Sequence, residues 1–277
     1  MLKTRVITAL VLMAVLLPSL FWLPQSGWAL LIALFIGVGA WEWGALLGWS
    51  NTARLLLGAV TAAVCVALAL ADPAAIGADG FAPDQLWVKV FYFASALFWC
   101  LVIPFWLRGK WALGVVSGLL VGAVVLLPTW LAMVQLRALG PGVLLAVFAV
   151  VWMADISAYF AGRRFGKNKL APSISPGKTR EGAYGAAAGV IIYGLVVGHF
   201  FFAALMPLPM WIAALLVVTV ISIVGDLFES LLKRKADIKD SSNVLPGHGG
   251  VLDRIDSLTS TLPLVAGFWL FFLHSQS

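Results

Sequence analysis

Ser230 to Asp256 reads SLLKRKADIKDSSNVLPGHGGVLDRID, a polar insert between two apolar runs, Met210 to Phe228 and Leu258 to Leu273. The insert holds Lys233, Arg234, Lys235, Asp237, Lys239, Asp240, Asp253, Arg254 and Asp256, in a chain with only 18 basic and 12 acidic residues. Each bracketing run is close to the length that crosses about 30 Å of hydrocarbon as a helix. Ionisable groups beside hydrocarbon are costly, so charge concentrated there marks a functional site.

The same reading extends outward over the whole chain. Its 277 residues are 62% hydrophobic and 11% charged, with a mean hydropathy of +1.02, which is too apolar for a soluble globule. The short alternating segments of a membrane β-barrel are absent. The fold class is therefore all-α, a polytopic integral membrane helical bundle of about nine transmembrane helices. Windows of about nineteen residues place the spans near Val6 to Leu23, Trp28 to Leu47, Leu55 to Ala71, Trp87 to Leu107, Ala112 to Val134, Val143 to Ala161, Gly185 to Met206, Met210 to Phe228 and Leu258 to Leu273. The first is longer than a signal-peptide core and lacks a small-residue cleavage site, so it reads as a span.

With the N-terminus in the cytoplasm, sixteen of the 18 basic residues fall in inside segments, and only Lys89 and Arg137 fall outside. The formal charge of +6 is thus a topology signal under the positive-inside rule, and no nucleic-acid partner is expected. Trp22, Trp28, Trp49, Trp87, Trp106, Trp111 and Trp211 lie near span ends and read as interface anchors. Cys65 and Cys100 sit inside apolar runs and read as small buried side chains. Glu42 is an acid inside the second span, where it either snorkels to the inner interface or pairs with a basic residue.

No internal repeat is present, but the character of the chain changes along its length. Residues 1–142 form an N-terminal membrane bundle with five spans and few internal polar groups, a scaffold that also gives lipid access. Residues 143–277 form a C-terminal catalytic region, in which polar segments from Gly162 to Tyr184 and Glu229 to Ser257 face one compartment and can build one site.

Asp226, Glu229, Ser230 and Lys233 recur at i, i+3, i+4 and i+7, one face of a continued helix. The plainer alternative is an i,i+4 pair of Glu229 with Lys233 beside a snorkelling Asp226. Pro246-Gly-His248-Gly249-Gly250 removes side-chain bulk and permits positive φ, as a turn needs where backbone approaches a ligand closely. It leads into Asp253-Arg254-Ile-Asp256 at a helix start, where capping by Asp256 is the plain reading. Carboxylates without a Cys or His cluster suit a hard cation such as Mg²⁺. The surrounding lysines and arginines suit phosphate.

In the other segment, Gly177-Lys178-Thr179 resembles the tail of a P-loop. Pro172 stands where the earlier glycine is required, so a polar turn that offers a lysine and a hydroxyl to phosphate is expected instead. Arg163 to Lys169 reads as a topology anchor that attracts anionic lipid. Asp155 lies near the inner end of the sixth span, and joins the site if that span packs near the eighth.

At these residues the chain resembles the phosphatidate cytidylyltransferase family, the CDP-diacylglycerol synthases. The resemblance rests on Ser230, Lys233-Arg234, Lys239-Asp240, Pro246, His248-Gly249-Gly250, Asp253-Arg254 and Asp256. It extends to Ser175-Pro-Gly177-Lys178-Thr179 with Glu181, although Gly177 stands where the family more often has a second lysine. It implies a nucleotidyltransferase of phospholipid biosynthesis that converts CTP and phosphatidate to CDP-diacylglycerol and pyrophosphate. It also implies a homodimer in a bacterial-type inner membrane, with the N-terminus and active site cytoplasmic. On that resemblance Asp226 and Asp253 hold a two-cation centre with Mg²⁺, where a monovalent second ion such as K⁺ is allowed. Lys239 and Asp240 join them as catalytic residues. Ser175, Lys178, Thr179, Glu181, Asp155, Lys233, Arg234, His248, Gly249, Gly250, Arg254 and Asp256 would line the substrates. Two rival classes are a secondary transporter using Glu42, Asp155 and Asp226, and a CDP-alcohol phosphotransferase. The first would place its acids near the midplane, and the second carries a longer acidic motif that is absent here.

Overall fold

In lipid every backbone N–H and C=O must be satisfied within its own segment, so apolar runs without internal charge become helices. The computed structural model describes residues 2–199 and 206–273. Its helices are α1 (Leu2–Trp22), α2 (Gln25–Leu46), α3 (Asn51–Ala71), α4 (Leu86–Leu97), α5 (Ile103–Gly109), α6 (Val115–Leu139), α7 (Pro141–Phe165), α8 (Arg180–Val197), α9 (Leu208–Lys235) and α10 (Leu252–Phe268). A π-helical turn at Phe98–Val102 joins α4 to α5, and another at Trp269–Leu273 extends α10.

Among the described residues, eight helical segments are long and apolar enough to cross a membrane, with α4 through α5 counting as one. The remaining expected span, Gly185 to Met206, falls on α8, which opens on the charged pair Arg180-Glu181. Residues 200–205 of that expectation lie outside the described residues.

A central trio, α2, α6 and α10, carries half of the largest fully buried side chains, including Trp28, Ile36, Trp130 and Leu262. One hydrophobic core runs from Leu20 to Leu270, so α10 of the C-terminal region packs on α6 and α2 of the N-terminal region. Two expectations change here. Trp28 is 1% exposed and donates to the Met133 carbonyl at 3.1 Å, so it is a core residue and not an interface anchor. Cys100 lies exposed on the outer surface of its π-helical turn, whereas Cys65 is buried.

Small residues let helices meet closely, since without water between them packing contact drives their association. A Cβ on Gly58 would stand 2.7 Å from the Gly37 carbonyl, which locks α3 against α2. In α8, Cβ atoms on Gly182 and Gly185 would each stand 3.0 Å from the Ala158 and Ser157 carbonyls of α7. The α7/α8 seam delivers a short hairpin between them, β1 (Lys169–Ala171) antiparallel to β2 (Ser175–Thr179). The stretch expected to be a polar turn is thus an extended strand, and Thr179 ends it by accepting from the Gly182 N–H at 3.1 Å, the N-cap of α8.

The basic segments gather at one end of the bundle. Thr8 of α1 donates to the Pro246 carbonyl at 2.8 Å, and the α2 C-terminal turn lies beside the start of α10. At the other end Arg137, 8% exposed, donates from Nε to the Leu20 carbonyl at 3.0 Å and from Nη1 to Gln25 Oε1 at 2.7 Å. Its Nη2 donates to the Leu23 carbonyl, so one guanidinium satisfies a carbonyl in the last turn of α1 and another just after it. Arg137→Met leaves those acceptors buried and unpaired. The variant should lose about 1–3 kcal/mol of stability by thermal unfolding in detergent, with Arg137→Lys intermediate.

Candidate active site

Five segments meet at the basic end: the C-terminal turns of α7, the β1–β2 hairpin, the first turns of α8, the C-terminal half of α9 and the first turns of α10. Between them lies a cavity of about 370 Å³ whose polar lining includes Asp155, Arg163, Lys178, Thr179, Ser222 and Asp226. Asp226 of α9 is half-buried and forms an ion pair with Lys178 of β2. Its Oδ1 accepts from the Ser230 hydroxyl at 3.2 Å. Asp155 faces the same cavity from α7, within electrostatic reach of Asp226, Lys178 and Arg254. Packing of α7 near α9 is thus what brings Asp155 in.

Gly225 brings α10 to this point, since a Cβ there would lie 2.9 Å from the Asp256 carbonyl oxygen and collide with Ser260. Asp256 consequently stands close enough to Asp226 to feel its charge. It accepts from the Ser257 N–H at 2.7 Å and does not cap the helix start, which differs from the capping reading.

Asp253, 8% exposed, stands in a separate nest. Its Oδ1 accepts from Lys233 Nζ at 2.7 Å. Its Oδ2 accepts from the Gly250 N–H at 2.7 Å, the Ser241 N–H at 2.9 Å and the Ser241 hydroxyl at 3.0 Å. Lys233 Nζ also reaches Glu229 at 3.2 Å, so the i,i+4 pair forms while Asp226 turns to Lys178. Among the described residues the buried Glu229 carboxylate has that ion pair but no hydrogen bond.

The glycine turn is needed for geometry and for space. Gly247 and Gly249 have φ of +80° and +83°, where side chains with a Cβ are strained. Gly250 has no such φ, but a Cβ on it would collide with the Ser241 hydroxyl and the Glu42 carboxylate. His248 is half-buried, and its N–H donates to the Leu245 carbonyl at 2.8 Å to close the turn.

Several residues expected at the site, two of them as catalytic groups, lie off the cavity. Lys239 and Asp240 are exposed on the loop after α9, and Arg254 is exposed on the first turn of α10. Arg234 is exposed and donates to the Ile174 carbonyl at 3.4 Å, and Ser175 is half-buried at the start of β2. Glu181 clasps the turn between α7 and β1: its own N–H, the Asn168 side chain and the Lys167 and Asn168 N–H groups hold its carboxyl down at about 2. That clasp is present at neutral pH and is lost only as pH falls toward 2.

Sequence reasoning missed Ser222, Ser241 and Ser257 and gave Arg163 only a topological task. Isolated serines in apolar or loop sequence carry no spacing signal. Glu42 lies in none of the expected arrangements. It is fully buried, with Oε1 accepting from the Val251 N–H at 2.9 Å and the Ser242 hydroxyl at 2.5 Å. Its Oε2 accepts from the Leu252 N–H at 2.7 Å and the Ser241 hydroxyl at 3.2 Å.

A cavity lined by two acids, a lysine and an arginine, at one end of a bundle whose helices are long and apolar enough to cross a membrane, is the polar site of an integral membrane protein. Comparison with known proteins gives that protein a family. The sequence pattern of the Cytidylyltransferase family matches residues 3–272, and the chain belongs to that family. A phosphatidate cytidylyltransferase of Pseudomonas aeruginosa is 42% identical over 272 residues, covering 96% of each chain. One of Haemophilus influenzae is 34% identical over 294 residues, covering 99% of this chain and all of that one. The likeness to the Bacillus subtilis phosphatidate cytidylyltransferase is 46% over 119 residues, or 42% of this chain.

The glycines separate cleanly by their surroundings. Gly250→Ala should cost about 1–3 kcal/mol through overpacking. Gly177→Ala, where nothing lies within 4 Å of the added carbon, should leave thermal unfolding in detergent unchanged.

Proposed function

We propose that this chain is a phosphatidate cytidylyltransferase, joining CTP and phosphatidate to give CDP-diacylglycerol and pyrophosphate. The observation that carries the reading is the Lys178–Asp226 pair inside a cavity framed by α7, α8 and α9. A carboxylate and an ammonium side by side offer one point for a cation and one for a phosphate. A second cavity of about 450 Å³ lies deeper between α7, α8 and α9, lined by Val147, Val150, Val218 and other apolar side chains. Val150 and Val218 each lie one helical turn from Ala154 and Ser222 of the polar cavity. Hydrocarbon directly below a polar pocket suits a substrate with an anionic head and acyl tails.

In the reaction a phosphatidate oxygen forms a bond to the α-phosphorus of CTP, while the bond to the bridging oxygen breaks and pyrophosphate leaves. The attacking oxygen is ionised near neutral pH, so no side chain has to remove a proton. The barrier is repulsion between two anions, and catalysis is positioning plus charge neutralisation. Lys178 sits where it would neutralise phosphate inside the cavity, with Arg163 at its rim and Arg254 at its approach. Thr179 would offer a hydroxyl beside Lys178. Lys239, at the surface, would meet the phosphates as they arrive.

The donor set fits Mg²⁺: hard carboxylate oxygens without Cys or His, with room for substrate oxygens and water as the remaining ligands. Among the described residues no group of three or more His, Cys, Asp or Glu is placed to hold a metal, which suits an ion held by one or two carboxylates and the substrate. Asp226 would hold it in the cavity, with Asp253 as the second proposed carboxylate and a monovalent second ion such as K⁺ allowed beside it. Bound there, the divalent ion supplies charge neutralisation and in-line orientation of the triphosphate. The clustering of basic segments at this end supports a site on the cytoplasmic face of a bacterial-type inner membrane, with the N-terminus on the same side. The family resemblance supports a homodimer.

Purified protein given radiolabelled CTP, phosphatidate and Mg²⁺ should form a chloroform-soluble nucleotide. Asp226→Asn should slow that formation by roughly 100-fold or more. Folded wild-type protein that yields no such product removes the reading.

A further inference from the structure

The start of α10 has no cap of its own. Val251 stands at the N-cap position without a side-chain acceptor, so the first N–H groups of the helix need partners from elsewhere. Glu42 supplies them across more than 200 residues of sequence, accepting from the Val251 and Leu252 N–H groups at 2.9 and 2.7 Å. The carboxylate is 0% exposed, and among the described residues its partners are those two N–H groups and the Ser241 and Ser242 hydroxyls. A buried anion without an ion pair is tolerable here because it faces the positive end of a helix and four donors.

The contact continues into the site. Ser241 Oγ lies 3.2 Å from Glu42 Oε2 and 3.0 Å from Asp253 Oδ2. One hydroxyl proton thus serves two carboxylates, and the Ser241 N–H adds a fixed donor to Asp253. Gly250, whose N–H donates to Asp253, has no side chain because Glu42 and Ser241 fill that space. Both ends of the loop from Ser241 to Leu252 are therefore tied to one carboxylate on α2.

We propose that Glu42 is a positioning residue: it fixes the Ser241 to Leu252 turn, and through it the places of Asp253 and Arg254 at the start of α10. The inference rests on the cytidylyltransferase reading and adds to it a residue from the N-terminal region. Loss of the anchor shifts charged groups that act on the reacting phosphates, so it lowers turnover more than substrate binding.

The test compares wild type, Glu42→Gln, Glu42→Asp and Ser242→Ala, purified in detergent, by kcat and KM for CTP and for phosphatidate, with thermal unfolding in parallel. Glu42→Gln keeps the shape but turns an amide toward backbone N–H groups. Its kcat should fall about 10- to 100-fold while both KM values stay within about threefold. Glu42→Asp, which keeps the charge, should recover part of the loss, and Ser242→Ala, which removes one of four donors, should show a smaller fall with wild-type unfolding. Parental kcat in Glu42→Gln, or a fall matched by the fraction of unfolded protein in every variant, overturns the proposal. An inactive wild type would instead indict the cytidylyltransferase reading.

Discussion

Charge taken to the edge of hydrocarbon has to be met by donors, and here the donors of three carboxylates come from other parts of the chain. Glu42 of α2 is met by the start of α10, Asp226 of α9 by Lys178 of the hairpin, and Asp253 of α10 by Lys233 of α9 and by Ser241. Each such contact ties two segments that apolar packing alone leaves free to slide. Packing in lipid brings helices together through small residues at the seams, and the polar contacts then select one register. The cavity exists because α7, α8, α9 and the hairpin are held in that register.

A lipid nucleotidyl transfer needs this arrangement for a simple electrostatic reason. Both substrates in the proposed reaction are anions, and one of them is confined to the bilayer. A site in bulk water would have to extract the lipid, while a site in hydrocarbon would have to bury a triphosphate. The basic end of a helical bundle avoids both, with Lys178 and Arg163 in a polar cavity and apolar walls one helical turn away. The proposed metal completes the neutralisation because a few lysines and arginines do not balance a triphosphate together with a phosphomonoester.

The spans were legible in the sequence because lipid admits one backbone solution for a long apolar run. The acids of Asp226 to Asp256 stand out in the sequence because their spacing is local and their density is unusual in so apolar a chain, but where each would point does not. Contacts at long sequence separation were not legible. Glu42 looked like a snorkelling or ion-paired acid, since no one-dimensional pattern shows that its partners are backbone N–H groups on α10. Ser241 carried no signal because a loop serine is unremarkable until two carboxylates converge on it. Asp256 read as a cap from its position at a helix start, but that position was already served from α2. Trp28 read as an interface anchor from its place near a span end, and packing against α6 made it core instead.

Determining the structure of the protein with CTP and Mg²⁺ bound tests the central claim most directly. The account places the triphosphate in the cavity between α7, α8 and α9 within contact of Lys178, with the metal on Asp226. A triphosphate seated at the opposite end of the helices, or a metal bound away from Asp226, contradicts it.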